Sequence, residues 1–125
     1  MAVTIAAPGT GPGVSATRKV FATSGRTYTM HPFTVTFDSS YPTGGELIDT
    51  TITGSPWAVL TTVDRIVTTP LIAPGGTGGL TSGHTIVGVP DITNKKLILS
   101  DNSAEVANTT ACQLIVIPCV AFGFQ

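Results

Sequence analysis

The sequence predicts an all-β fold: a compact β-sandwich or β-barrel-like domain of about seven to nine short strands, preceded by an extended N-terminal arm. Three observations lead there. Thr occurs 22 times in 125 residues, and a β-branched hydroxyl side chain suits a pleated, half-exposed face better than a helix. Residues 26–37 alternate, with Phe33, Val35 and Phe37 on one face and Thr34 and Thr36 on the other, the period of two that marks a strand buried on one side. Clusters of Gly, Pro, Asn, Asp and Ser also break the apolar runs at short, roughly even spacing, as turns between short strands require.

Taken in order, residues 1–25 read as the arm and residues 26–125 as the β domain. The stretch Pro8-Gly9-Thr10-Gly11-Pro12-Gly13 holds neither a helix nor a central strand. Val3 and Ile5, in the apolar patch before it, are candidate contacts that would add a strand to a neighbour's sheet edge. Residues 19–22 read as a short strand that ends at Ser24-Gly25. After the 26–37 strand, in which Pro32 is expected to shift the register or introduce a kink, residues 38–45 are a turn region and 46–54 a turn or short strand. Residues 57–69 read as a strand pair or one bent strand, with Ala58-Val59-Leu60 as its first part. Residues 75–79 are a Gly-rich loop, 84–89 a strand stopped by Pro90, 96–100 another strand, and 101–110 a loop or short edge strand around Val106. Residues 112–122 are apolar on both faces, the pattern of a central strand covered on both sides.

Composition excludes several function classes. Only 10% of residues are charged and the formal net charge is -1, against a usual ~25% charged. Six basic residues, offset by seven acids, do not supply the cationic surface that nucleic acids or anionic membranes select. A weakly charged surface favours association, and mean hydropathy is +0.37, so the chain reads as one whose surface is partly covered by partners. The first residues lack the basic and long apolar regions of a secretory signal, and no run reaches the ~20 apolar residues of a membrane helix. The expected site of synthesis and residence is therefore a cytoplasm. Cys112 and Cys119 would lie about 23 Å apart in one straight strand, too far for a disulfide, and read as small buried hydrophobes.

No motif carries chemistry. The Gly-rich loop has no Gly-Lys pair and no helix after it, so it is not a phosphate cradle. His31 and His84 have no second ligand at metal-binding spacing. Glu46 and Asp49 are close in sequence, but no calcium-loop spacing surrounds them. Asn108-Thr109-Thr110 matches a glycosylation acceptor that a chain retained in the cytoplasm would not use. Asp64 and Arg65 interrupt an apolar strand, and Arg65 is a candidate surface or interface residue. The expectation is no catalytic residue, no cofactor, no metal and no small-molecule substrate. A carbohydrate-binding module, with Tyr41 or Trp57 as a stacking platform, and an enzyme are the contrasting classes.

The loop Ser40-Tyr41-Pro42-Thr43-Gly44-Gly45-Glu46-Leu47, the segment Val63-Asp64-Arg65-Ile66-Val67, the segment Asp91-Ile92-Thr93-Asn94-Lys95-Lys96-Leu97-Ile98-Leu99 and the apolar strand that closes on Gly123 occur in an order that resembles small structural proteins of tailed bacteriophages. These decorate or cement the capsid exterior. The resemblance covers roughly residues 34–123. It implies a β domain that oligomerises, often as a trimer, on the outer shell, with the major capsid protein as partner and no active site. Tyr41 and Pro42, in the most specific of these segments, become candidate assembly contacts with Val3, Ile5 and Arg65. A tail, fibre or baseplate module of the same virion is the alternative. The Thr-rich stretch 48–55, the glycine loop and the long arm depart from the pattern.

Overall fold

A computed structural model describes residues 3–6, 18–23, 25–74 and 79–125. These form ten strands and one helical turn: β1 (Thr4–Ala6), β2 (Arg18–Thr23), β3 (Arg26–Thr36), β4 (Glu46–Leu47), α1 (Pro56–Val59), β5 (Thr62–Thr68), β6 (Leu71–Ile72), β7 (Thr85–Asp91), β8 (Lys96–Asp101), β9 (Ala104–Glu105) and β10 (Val116–Phe124). The architecture is the expected all-β sandwich. One antiparallel sheet runs β1-β3-β10-β5 with β2 also paired to β3, and the second runs β4-β8-β7-β6 with β9 paired to β8. We call them the first and second sheets.

The alternation that predicts β3 holds from Thr29 to Thr36. Thr29, His31, Phe33 and Val35 are buried, while the residues between them are half-exposed. Pro32 neither shifts nor kinks this pattern. It sits where β3 changes neighbours, because β2 pairs as far as Met30 and β1 begins at Thr34. Pro90 pairs with Leu97 of β8 at a point that β6 does not reach, so β7 continues past it to Asp91. Pro118 lies one residue beyond the last β5 pair, Cys119 with Thr68. A residue without an N–H is tolerated where one side of a strand has no ladder to complete.

Inward-facing Phe33 and Val35 of β3 and Ile117, Cys119 and Ala121 of β10 meet Ile86, Leu97 and Leu99 of the second sheet in one core. Each such Val, Leu, Ile or Phe contributes about 1.5–3 kcal/mol of transfer free energy. Strand β10 is central in its sheet, with β3 on one side and β5 on the other. It is not covered on both faces, however. Val116 is 44% exposed, Pro118 is exposed, and Val120, Phe122 and Phe124 are half-exposed.

The segment Ala58-Val59-Leu60 is not strand. Ser55 is fully buried, its Oγ donates to Ile48 O and accepts from Trp57 N, and Pro56 takes the first helical position. That cap chemistry sets a single helical turn, closed by Leu60 N donating to Pro56 O. Strands β8 and β9 are joined by Asn102-Ser103, both at positive φ, as a two-residue hairpin turn requires. Of the expected arm, β1 and β2 belong to the first sheet, and the boundary placed at residue 25 falls in the β2–β3 turn, where Gly25 has φ +76°. Residues 7–17 of the arm and most of the 75–79 glycine loop lie outside the described residues.

Candidate functional site

The 40–45 loop is a latch and not an open contact. Tyr41 is 1% exposed. Its hydroxyl donates to Glu105 Oε1 at 3.0 Å and accepts from the Leu99 backbone N–H at 3.1 Å. The same Glu105 oxygen accepts from Gly44 N at 2.6 Å, and Asn108 Oδ1 accepts from Thr43 N. Backbone bonds between Tyr41 and residues 109 and 110 complete the tie. Gly44 and Gly45 supply φ of +91° and +99°, and a Cβ on Gly45 would come within 2.7 Å of Leu97 O. Burial, chiefly, raises the Tyr41 hydroxyl pKa well above its ordinary value, so it stays a donor. The loop thus fastens the β3 exit to the β9 exit. Tyr41 is not available to a partner, and Pro42 is half-buried beside it.

Two further expected contacts are also interior. Val3 is 3% and Ile5 7% exposed in the core of their own chain, because Thr4–Ala6 pairs with Thr34–Thr36 of the same molecule. The apolar patch completes its own sheet edge and not a neighbour's. Trp57 is half-buried against the core with the Lys95 ammonium 5.8 Å from its ring centre, so neither aromatic named as a sugar platform stands free.

Arg65 is the expected contact that the structure leaves on the surface. It is exposed on β5 with its guanidinium 4.8 Å above the Phe122 ring. Around it spreads the outer face of the first sheet. Phe21 stacks on Tyr28 at 4.9 Å, Tyr28 meets Phe124 edge-on at 5.1 Å, and Arg26 lies 4.5 Å over Phe124. Phe21, Val67 and Val116 of this face are 44–50% exposed. The outer face of the second sheet exposes Leu47, Ile72 and Val89. The sequence shows the Phe122–Phe124 and 114–122 hydrophobes but not their exposure, because an apolar run looks the same whether one face or both are covered.

The titratable groups that suggested chemistry are separated. His31 is buried beside Phe33 and burial lowers its pKa. His84 Nδ1 lies 2.7 Å from Asp101 Oδ1 at a half-exposed site. Both cysteines are free and buried, and burial pushes Cys119 to about 12 and Cys112 to about 11, with the Asp38 and Glu46 charges adding at Cys112. Among the described residues, no three His, Cys, Asp or Glu side chains are placed to hold a metal ion. A groove of about 390 Å³ over β7 and β8, lined by Thr85, Val87, Val89, Ser100, Asn102 and Ser103, contains no titratable side chain.

Glu46 and Asp49 do not pair. Asp49 accepts from Thr51 in solvent, whereas Glu46 is 4% exposed and faces Asp38. Burial, reinforced by the Asp38 charge, pushes the Glu46 carboxyl up to about 7. Asp38 Oδ2 and Glu46 Oε1 have no other partner, and a proton held by Glu46 and donated to Asp38 satisfies both.

Comparison with family models, curated proteins and solved structures returned no match.

Proposed function

We propose that this chain is a structural subunit of a bacteriophage virion, a protein that decorates and stabilises the capsid exterior through contacts with the major capsid protein and with further copies of itself, a trimer being the expected order. The observation that carries the reading is the apolar, charge-poor outer surface of the sandwich. Phe21, Val67 and Val116 on one sheet and Leu47, Ile72 and Val89 on the other stand 37–63% exposed, on a chain with 10% charged residues. A protein that works alone in solution tends to break up such surface with charge. The order of segments from the Tyr41 loop to the β10 strand supports the choice of virion within the wider class of assembly components. The proposed role uses no catalytic group and no cofactor, and it places the protein on the virion after synthesis in the host cytoplasm.

The test is a reconstruction of intact particles. Density fitting the sandwich at capsomer junctions on the shell exterior is the expected result. Density in the tail, fibre or baseplate would move the protein to the alternative module, and particles without this chain would overturn the virion reading altogether.

A further inference from the structure

The two sheets differ in charge. Four of the six basic residues belong to strands of the first sheet, Arg18 and Lys19 on β2, Arg26 on β3 and Arg65 on β5, with Asp64 as that sheet's one acid. Five of the seven acids, Glu46, Asp49, Asp91, Asp101 and Glu105, lie on the second sheet or the turn after β4, with Lys95 and Lys96. Among the described residues, neither Arg26 nor Arg65 has a carboxylate within salt-bridge distance. Both guanidiniums lie over outer-face rings, so they are held at the face with N–H donors free to meet an acceptor.

We propose that the outer face of the first sheet is the docking face, and that it fits a protein surface with an apolar centre bordered by carboxylates, which Arg26 and Arg65 engage. This deepens the assembly reading above and rests on it. Three arguments select that occupant. The exposed Phe21, Val67 and Val116 side chains gain from apolar cover. Arg is the side chain suited to carboxylates in an interface, through its planar fork. A second copy applied face to face across a two-fold axis would bring the same cations together, which like-charge repulsion disfavours. Nucleic acid fits poorly, because its affinity comes from many phosphate contacts, whereas the strands of this sheet carry four cations in all and expose Phe21, Val67 and Val116 among them.

The test uses purified capsid shells assembled without this chain, to which the wild type, the double variant Arg26→Glu/Arg65→Glu and the second-sheet variant Thr85→Glu, at an exposed β7 position, are added. Co-sedimentation gives the bound fraction, and thermal melts establish that each variant is folded. The wild type and Thr85→Glu should bind alike, the double variant should not bind, and wild-type binding should weaken as salt rises. Normal binding by the double variant, or loss confined to Thr85→Glu, overturns the assignment of the face while leaving shell binding intact. Salt-independent wild-type binding overturns the role of charge and needs no variant. A wild type that binds no shell overturns the assembly reading itself. Self-association lost in the double variant, or binding to phosphatidylserine vesicles, would give the face to a second copy or to a membrane and overturn the proposal.

Discussion

Replacing Glu46 by Gln should change how stability depends on pH. In the folded chain the Glu46 carboxyl is raised from 4.5 to about 7, and in the unfolded chain it returns to its ordinary value. Between those pH values the native state holds a proton that the unfolded state has released, so stability falls as pH rises from about 4.5 to about 7 and then levels off. The size of the effect follows from the displacement, and is about 3 kcal/mol at full development. Glutamine keeps the shape, cannot ionise, and its amide can donate to Asp38 in place of the proton. His31 acts in the opposite sense. Its lowered pKa makes stability fall as pH drops below the ordinary histidine value of 6.5. The difference between Glu46→Gln and wild type therefore isolates the carboxyl. Urea unfolding at half-unit intervals from pH 4.5 to 8.5 should give near-equal stabilities at the acid end and a variant more stable by up to about 3 kcal/mol at pH 8. A difference that does not grow with pH would refute the buried, protonated Glu46.

Other substitutions test the latch and the interior. Tyr41→Phe removes the donor to Glu105 and leaves the buried Leu99 N–H without its acceptor, which should cost about 1–3 kcal/mol in urea unfolding. Gly45→Ala places a Cβ against Leu97 O at a φ of +99° and should cost about 2 kcal/mol or more by the same measurement. Cys112 and Cys119, buried with raised pKa values, should resist a thiol-reactive dye in native buffer and react fully in denaturant. Fast labelling of the native protein would contradict their placement.

Local periodicity made β3, β7 and β8 legible, because alternation is a property of the strand itself. The three prolines show where that reading stops. Pro32, Pro90 and Pro118 each look like interruptions in sequence, yet each lies at a position where a neighbouring strand ends or changes. That is a fact about the partner strand and is invisible in the proline's own surroundings. The helical turn at Pro56–Val59 was hidden for a different reason. Ala58-Val59-Leu60 is a short apolar run, whose pattern alone does not separate strand from helix, and Ser55 bonded to Ile48 O fixes the cap from outside the segment. Val3 and Ile5 were legible as sheet-forming residues, and only the tertiary register assigns them to their own sheet. Tyr41 and Glu105 stand 64 positions apart. The loop chemistry at Gly44-Gly45 could be read, whereas the carboxylate that locks it could not. Arg65 was the expected contact closest to the surface now proposed, because a charge inside an apolar strand signals an outward position.

The place of β10 bears on how the protein is made. The strands of the second sheet, β4 and β6 to β9, all come from residues 46–105, so they can pair while the ribosome is still translating. The first sheet can begin only in part, with β1 and β2 along one edge of β3. Strands β3 and β5 do not pair with each other but only through Val116–Phe124, so β3, synthesised early, must wait for that segment before its main neighbour exists. A nascent chain halted before Val116 would present β3 with one edge unfilled and β5 with no strand partner at all, the condition in which strands recruit foreign partners. Arrested chains of that kind should be captured by chaperones, and extension through Phe124 should release them.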